Sequence, residues 1–94
     1  MQRPELEVRV KQILTNRLGI PPDDIRLDAK LGDDLGMDSL DAVELAIATE
    51  RQFGIGVSDE QIAKLGTVAD IVALVQRLVD EPGGGLPHAS GRVR

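Results

Sequence analysis

Apolar residues recur at helical spacing near the start of the chain. The spacing i, i+4, i+7, i+8 begins at Leu6 and ends at Leu14, after a proline that suits a first helical turn. Gly19 follows this stretch and is typical of the residue at which a helix stops. The pattern predicts a first helix over residues 4–18.

Three further helices are predicted from the residues that start them. Asp38 is a good N-cap and predicts a helix over about residues 39–53, which two glycines then end. Ser58 begins a capping-box pattern and predicts a short helix to about Leu65. Thr67 begins another such pattern, and a strong apolar stripe follows it. The members of that stripe are Val68, Ile71, Val72, Val75, Leu78 and Val79.

The segment between the first two predicted helices, residues 19–38, is a long loop. A Pro-Pro pair blocks helix there, and glycines and aspartates favour turns. A loop of this length is uncommon unless it serves a function. Its apolar residues are too numerous for a loose linker, so we expect them to anchor the loop onto the helices. They are Ile20, Ile25, Leu27, Leu31 and Leu35.

These elements predict an all-α fold: a four-helix bundle with a short third helix and a long loop between helices one and two. The bundle occupies residues 1–81, and a Pro/Gly-rich flexible C-terminal tail occupies 82–94. The chain has one aromatic residue, Phe53, so the core must be aliphatic, which favours packed helices over a sheet sandwich.

The composition excludes several kinds of site. Without cysteine there is no disulfide, no zinc–thiolate site and no cysteine nucleophile, so any thiol must be supplied by another molecule. No apolar run approaches the ~20 residues of a membrane span, and the start lacks an apolar signal region. We therefore expect a cytoplasmic protein that does not enter a membrane.

Negative charge is concentrated in one segment. Residues 23–44 carry eight acidic and two basic side chains, a net charge of −6, whereas the remainder carries +1. Such a local field repels nucleic acid and attracts basic protein surfaces. Without an aromatic stacking platform either, nucleic-acid binding is not expected.

Ser39 lies at the start of the second helix, where a catalytic role is not supported. The chain contains no calcium-loop spacing, no phosphate-binding loop and no Gly-x-Ser-x-Gly elbow. The only histidine, His88, lies on the predicted tail, so Ser39 has no internal base. By itself Asp38-Ser39-Leu40 is typical of an ordinary helix start.

The residues around Ser39 resemble the acyl carrier protein family, whose hallmark is Gly-x-Asp-Ser-Leu followed by Val-Glu-Leu. The resemblance covers about residues 4–80. The hallmark matches are Gly36, Asp38, Ser39, Leu40, Asp41, Val43, Glu44 and Leu45. The later matches are Glu50, Phe53, Ile55, Val57, Asp59, Glu60, Thr67, Val68 and Asp70.

The resemblance implies that Ser39 carries 4′-phosphopantetheine through a phosphodiester. A separate phosphopantetheinyl transferase moves the group from coenzyme A using Mg²⁺, and the thiol of the arm holds acyl groups as thioesters. The chain would thus be a carrier, not an enzyme, with no metal of its own. Asp38 and Leu40, which flank the attachment residue, are the other residues expected to contact the cofactor. Asp38 and Asp41 either cap the helix or contact the transferase and its metal.

The resemblance also makes the second helix the recognition helix of a monomeric carrier. Its outer face would meet basic patches on acyl-transferring and condensing enzymes, contacts that set encounter rate and partner choice. Leu40, Glu44, Ile47 and Arg51 form one helical stripe. The expected partner-binding residues are Asp41, Glu44, Ile47, Glu50 and Arg51.

Residues inside the bundle are expected to pack, and some to shelter an acyl chain. The packing set is Val43, Ala46, Phe53, Ile71, Val72 and Val75. The acyl-cavity set is Val43, Ala46, Thr49, Leu65 and Ile71.

Two departures from the family pattern indicate a specialised member. Arg51 interrupts the acidic run that usually precedes Phe53, and Thr49 replaces an aliphatic residue.

The sequence leaves three alternatives open. A carrier of aminoacyl or peptidyl groups in nonribosomal synthesis usually has a second glycine where this chain has Met37, which argues against it. A polyketide-pathway carrier shares the motif. An unmodified helical interaction module would use Ser39 only as part of a helix start.

Overall fold

The computed structural model describes residues 2–81. In chain order they form α1 (Arg3–Leu18), α2 (Ser39–Phe53), α3 (Asp59–Ala63) and α4 (Val68–Asp80). The predicted four-helix, all-α architecture, with its short third helix and long first loop, is confirmed. The predicted tail at 82–94 lies outside the described residues. Within them, no helix combines the length and apolar character that crossing a bilayer requires.

The helix ends follow from local side-chain chemistry. Asp38, Ser58 and Thr67 each accept a hydrogen bond from the backbone N–H three residues on, and the side chain there accepts one in return. These reciprocal boxes satisfy two helix-start donors each. Gly19 and Gly54 close α1 and α2 with φ of 72° and 66°, a left-handed conformation that favours glycine.

The core is aliphatic, as the near absence of aromatic residues predicted. It draws on every helix and on the loop after α1. Phe53 is only partly buried, against the edge of the core. Thr49 is the one buried polar residue among residues 2–81, at 1% exposure. The large apolar side chains that are fully buried are Leu6, Val10, Leu14, Leu45, Ile55, Val57, Ile62, Val68, Ile71, Val72 and Val75.

The expectation that Val43 packs in the core is wrong. Its side chain is 40% exposed. Residues one and three positions away, Ala42 and Ala46, are both 5% exposed and form the inward face of α2. Because successive helical residues turn by about 100°, Val43 is rotated away from Ala42 toward the side of the helix that holds Leu40 and Ile47.

The long loop is anchored as predicted. Ile20, Ile25 and Leu31 are buried, and Leu27 and Leu35 pack partly against the core. A short 3₁₀ turn at Pro22–Asp24, which the sequence did not predict, starts the loop.

Backbone hydrogen bonds tie the loop to the start of α4. The Leu31 N–H donates to the Gly66 carbonyl at 2.9 Å, and the Val68 N–H donates to the Ala29 carbonyl at 3.1 Å. Loop and helix therefore form one fixed wall beside the start of α2.

Candidate functional site

Ser39 is the first residue of α2 and is exposed. On either side of it, Asp38 and Asp41 form the capping box. The Asp41 N–H donates to Asp38 Oδ1 at 3.0 Å, and the Asp38 N–H donates to Asp41 Oδ2 at 3.2 Å. Both carboxylates thus hold the helix start, as the capping interpretation predicted, and the Ser39 hydroxyl is left accessible for modification by another molecule.

The turn before Ser39 depends on Gly36. Its φ is 69°, a region that residues with a Cβ adopt only with strain. Beyond this turn the Met37 N–H donates to the Leu31 carbonyl at 2.9 Å. The glycine of the hallmark motif therefore brings the chain back against the loop and sets the position of Asp38.

An open cleft of about 520 Å³ begins at Ser39 and runs between the loop and α3. Its wall is largely apolar, and Lys30 and Asp33 stand with Asp38 at its edge. The apolar lining consists of Leu31, Met37, Ala42, Ile62, Ala63 and Leu65. A flexible apolar chain attached at Ser39 would find contact surface there without leaving the protein.

The expected cavity residues are placed unevenly around this cleft. Leu65 lines it. Ala46, Thr49 and Ile71 are not among its lining residues and are buried, at 5%, 1% and 0% exposure, while Val43 lies on the outer face. The interior position expected for Thr49 is therefore confirmed.

Sequence reasoning did not include several residues that line the cleft. Ala42 lies three residues after Ser39, close to one helical turn, so its place in the cleft could have been found from helical geometry. Met37 and Ile62 come from separate segments, and only the packed fold shows that they lie together.

The outer face of α2 carries an apolar stripe beside Ser39. Leu40 is 77% exposed, Val43 40% and Ile47 43%, at positions i, i+3 and i+7. Glu44 is half-exposed beside them, 4.0 Å from Arg17 of α1. Large apolar side chains grouped at a surface and bordered by charge are typical of a protein-contact site.

Glu50 has a structural contact that its sequence position did not indicate. Its Oε2 accepts a hydrogen bond from the Val57 N–H at 2.9 Å, in a partly buried setting. This bond fastens the segment between α2 and α3 to the last turns of α2. Arg51, the next residue, is exposed.

Asp70 holds one part of the cleft wall in place. Its Oδ2 accepts from the Gly66 N–H at 2.9 Å and from the Thr67 N–H at 3.0 Å. The Gly66 hydrogen bond, with a second from Thr67, lowers the pKa of Asp70 from its ordinary value of 3.8. Because Gly66 lines the cleft, the ionised carboxylate helps to hold the shape of the site.

Comparison with known proteins agrees with this geometry. A family model for phosphopantetheine attachment sites matches residues 8–75, a range that includes Ser39, the cleft and most of every helix. An acyl carrier protein of Akkermansia muciniphila is 45% identical over 73 residues, which are 78% of this chain and 91% of the relative.

Two further relatives carry the same name. The acyl carrier protein of Zymomonas mobilis is 43% identical over 71% of this chain and 86% of its own length. That of Thermotoga maritima is 41% identical over 80% of this chain and 93% of its own length. Since these matches cover nearly the whole of each relative and the attachment-site model spans the bundle, the chain belongs to the acyl carrier protein family, which carries covalently attached 4′-phosphopantetheine.

Proposed function

We propose that Ser39 is the attachment residue, and that the chain presents acyl thioesters to enzymes of fatty-acid, lipid or polyketide biosynthesis. The observation that carries this proposal is an exposed serine at the first position of a helix, where an apolar cleft begins. When bound, 4′-phosphopantetheine supplies the thiol that this cysteine-free chain lacks. An acyl group on that arm would lie close to the cleft.

The surroundings of Ser39 fit a phosphodiester. Free N–H groups and the positive end of the helix dipole favour negative charge at a helix start. Asp38 and Asp41 oppose that charge, but an oxygen of each is engaged by a backbone N–H of the capping box. The cap therefore keeps the helix start ordered while Ser39 stays accessible.

The same cap supports a carrier without catalytic activity of its own. Asp38 and Asp41 each have one carboxylate oxygen held by the helix start, and the capping bonds fix both side chains there and not toward the Ser39 hydroxyl. His88 lies outside the described residues. Removal of the Ser39 proton is accordingly the task of the phosphopantetheinyl transferase, which we expect to meet the protein in the cytoplasm.

We assign partner docking to the outer face of α2. Leu40 and Ile47 offer exposed apolar contacts, and Asp41 and Glu44 supply negative charge toward basic enzyme surfaces. Such charge sets encounter rate and partner choice more than affinity. Arg51, at the far end of the face, makes this surface less acidic and favours specialised partners.

The acyl chain would enter between α2 and α3. Leu65 lines the cleft. Ala46, Thr49 and Ile71 are buried, and we expect an entering chain to meet them once it passes the cleft. The five-residue α3 buries only Ile62, so it has the least contact to lose on moving. The Thr49 hydroxyl would narrow or polarise the inner end.

Incubation with coenzyme A, Mg²⁺ and a broad-specificity transferase tests the proposal. The intact mass should rise by one phosphopantetheinyl group. Ser39→Ala should abolish the rise, whereas the matched variant Ser58→Ala should retain it, because Ser58 caps α3 and lies away from the motif. An unchanged wild-type mass, with a transferase active on another carrier, would leave only a helical interaction module.

A second measurement separates the kinds of cargo. The modified protein is offered to acyl-loading and aminoacyl-loading enzymes, and the thioester formed is identified by mass. Acyl thioesters alone support the proposal. Aminoacyl thioesters alone would assign the chain to nonribosomal synthesis.

A further inference from the structure

A second groove lies between α1 and α2, away from the Ser39 cleft. Its volume is about 460 Å³, and its floor is formed by Ile13 and Ala48, which are 6% and 5% exposed. All its other lining side chains end in a guanidinium or a carboxamide. They are Arg9, Gln12, Asn16, Arg17, Arg51 and Gln52.

The groove is positively charged in a protein that is otherwise acidic. It collects three of the six arginines in residues 2–81 and has no carboxylate among its lining residues. The whole chain carries −5, and residues 23–44 carry −6. Like charges placed together repel, so grouping these arginines does not by itself stabilise the fold.

The arginines of this groove are only loosely engaged by the protein itself. Arg9 lies 3.7 Å from Glu5 and Arg17 lies 4.0 Å from Glu44, with side chains 37% and 52% exposed. Exposed pairs of this kind add little stability. Arg51 forms no ion pair within the described part of the chain. All three guanidiniums can therefore turn toward an external acceptor at small cost.

We propose that this groove is a docking site for a short acidic peptide segment of a partner protein. Guanidiniums bind carboxylates through paired hydrogen bonds, which suits neighbouring Asp or Glu side chains. The carboxamides of Gln12, Asn16 and Gln52 both donate and accept, as a peptide backbone requires. The small apolar floor suits the methylene groups of such side chains.

Other anionic partners fit the groove less well. A single-stranded nucleic acid would meet no aromatic stacking platform here. A membrane surface is contacted by exposed apolar side chains beside basic ones, whereas Ile13 and Ala48 are buried at the bottom of a concave site.

Titration of the ¹⁵N-labelled, unmodified protein with hexaglutamate peptide at low ionic strength tests this site. Saturable shifts are expected at amides of α1 and α2 around the groove. The triple variant R9Q/R17Q/R51Q should bind roughly tenfold more weakly, because three exposed charge contacts are lost. Circular dichroism checks that it remains folded, and the single variant R51Q should show a smaller loss in the same direction.

A charge-matched variant is the control. R3Q/R26Q/R77Q removes three arginines that also sit in exposed ion pairs but lie outside the groove. It should weaken binding by less than about threefold, through net charge alone. Equal losses in the two triple variants, shifts that map away from the groove, or no saturable binding would overturn the proposal. Groove-dependent binding to phosphatidylglycerol vesicles without binding to hexaglutamate would likewise overturn it. Because Ser39 is unmodified throughout, none of these outcomes bears on its role as attachment residue.

Discussion

Replacing Glu50 by alanine tests whether this residue is mainly structural. Glu50 accepts a hydrogen bond from the backbone N–H of Val57, a residue that is only 1% exposed. Loss of the carboxylate therefore leaves this donor poorly solvated and without its partner. Hydrogen bonds to charged groups contribute about 1.5–3 kcal/mol, and alanine returns a few tenths through helix propensity. We expect the free energy of unfolding to fall by about 1–2.5 kcal/mol.

Two variants calibrate this figure. Glu50→Gln keeps an acceptor oxygen without the charge and should lose about half as much. Glu44→Ala, on the same helix, breaks only an exposed contact of 4.0 Å and should cost no more than about 0.5 kcal/mol. Glu50 lies near the negative end of the α2 dipole, where its charge is unfavourable, so the measured loss understates the hydrogen bond.

Urea unfolding followed by far-UV circular dichroism supplies the measurement. For a domain of this size the midpoint of Glu50→Ala should fall by about 1–2 M, with an unchanged denaturant slope. If Glu50→Ala and Glu44→Ala unfold at the same urea concentration, the hydrogen bond does not stabilise the fold. If Glu50→Gln keeps most of the stability yet loses turnover with partner enzymes, Glu50 acts by direct contact instead.

Three further predictions concern charge and cleft shape. Arg51→Glu should raise turnover by fatty-acid-synthesis enzymes that have basic docking patches, and it should steepen the salt dependence of that turnover. The control Arg77→Glu, on α4, should change neither. If Arg51→Glu is turned over at the wild-type rate, Arg51 does not select partners. Because hydrogen bonds lower the pKa of folded Asp70, its stabilisation is present above the unfolded-state value near 3.8 and is lost as pH falls through the folded-state value. Asp70→Asn should thus be less stable than wild type at neutral pH, and the difference in urea midpoint should shrink on acidification; a constant difference would contradict this. Ala42→Phe should partly fill the cleft and speed hydrolysis of an octanoyl thioester on the modified protein, and an unchanged rate would show that the cleft does not shelter the chain.

The helices and their limits could be predicted from the sequence because each depends on neighbouring residues. Helix starts are indicated by Asp38, Ser58 and Thr67, whose capping interactions reach only three residues along the chain. Gly19 and Gly54 indicate helix ends because few other residues adopt a positive φ. The apolar residues of the long loop likewise predicted that it packs on the core.

Features that depend on packing between distant segments could not be predicted in the same way. The cleft joins Met37, Ala42 and Ile62 from three segments, and the Glu50–Val57 hydrogen bond depends on the path of a loop. Val43 was misassigned because an aliphatic residue fits either face of a helix, and only the neighbouring helices decide which face is covered.

Peptide mapping of the transferase-treated protein identifies the residue that carries the phosphopantetheinyl group. Trypsin should release residues 31–51, in which Ser39 and Thr49 are the only hydroxyl side chains, and Thr49 is buried in the folded protein. This peptide should gain one phosphopantetheinyl group, and fragmentation should place the group on Ser39. Modification at Ser58 or Ser90 would contradict attachment at Ser39. So would an unmodified protein under conditions in which the transferase modifies another carrier.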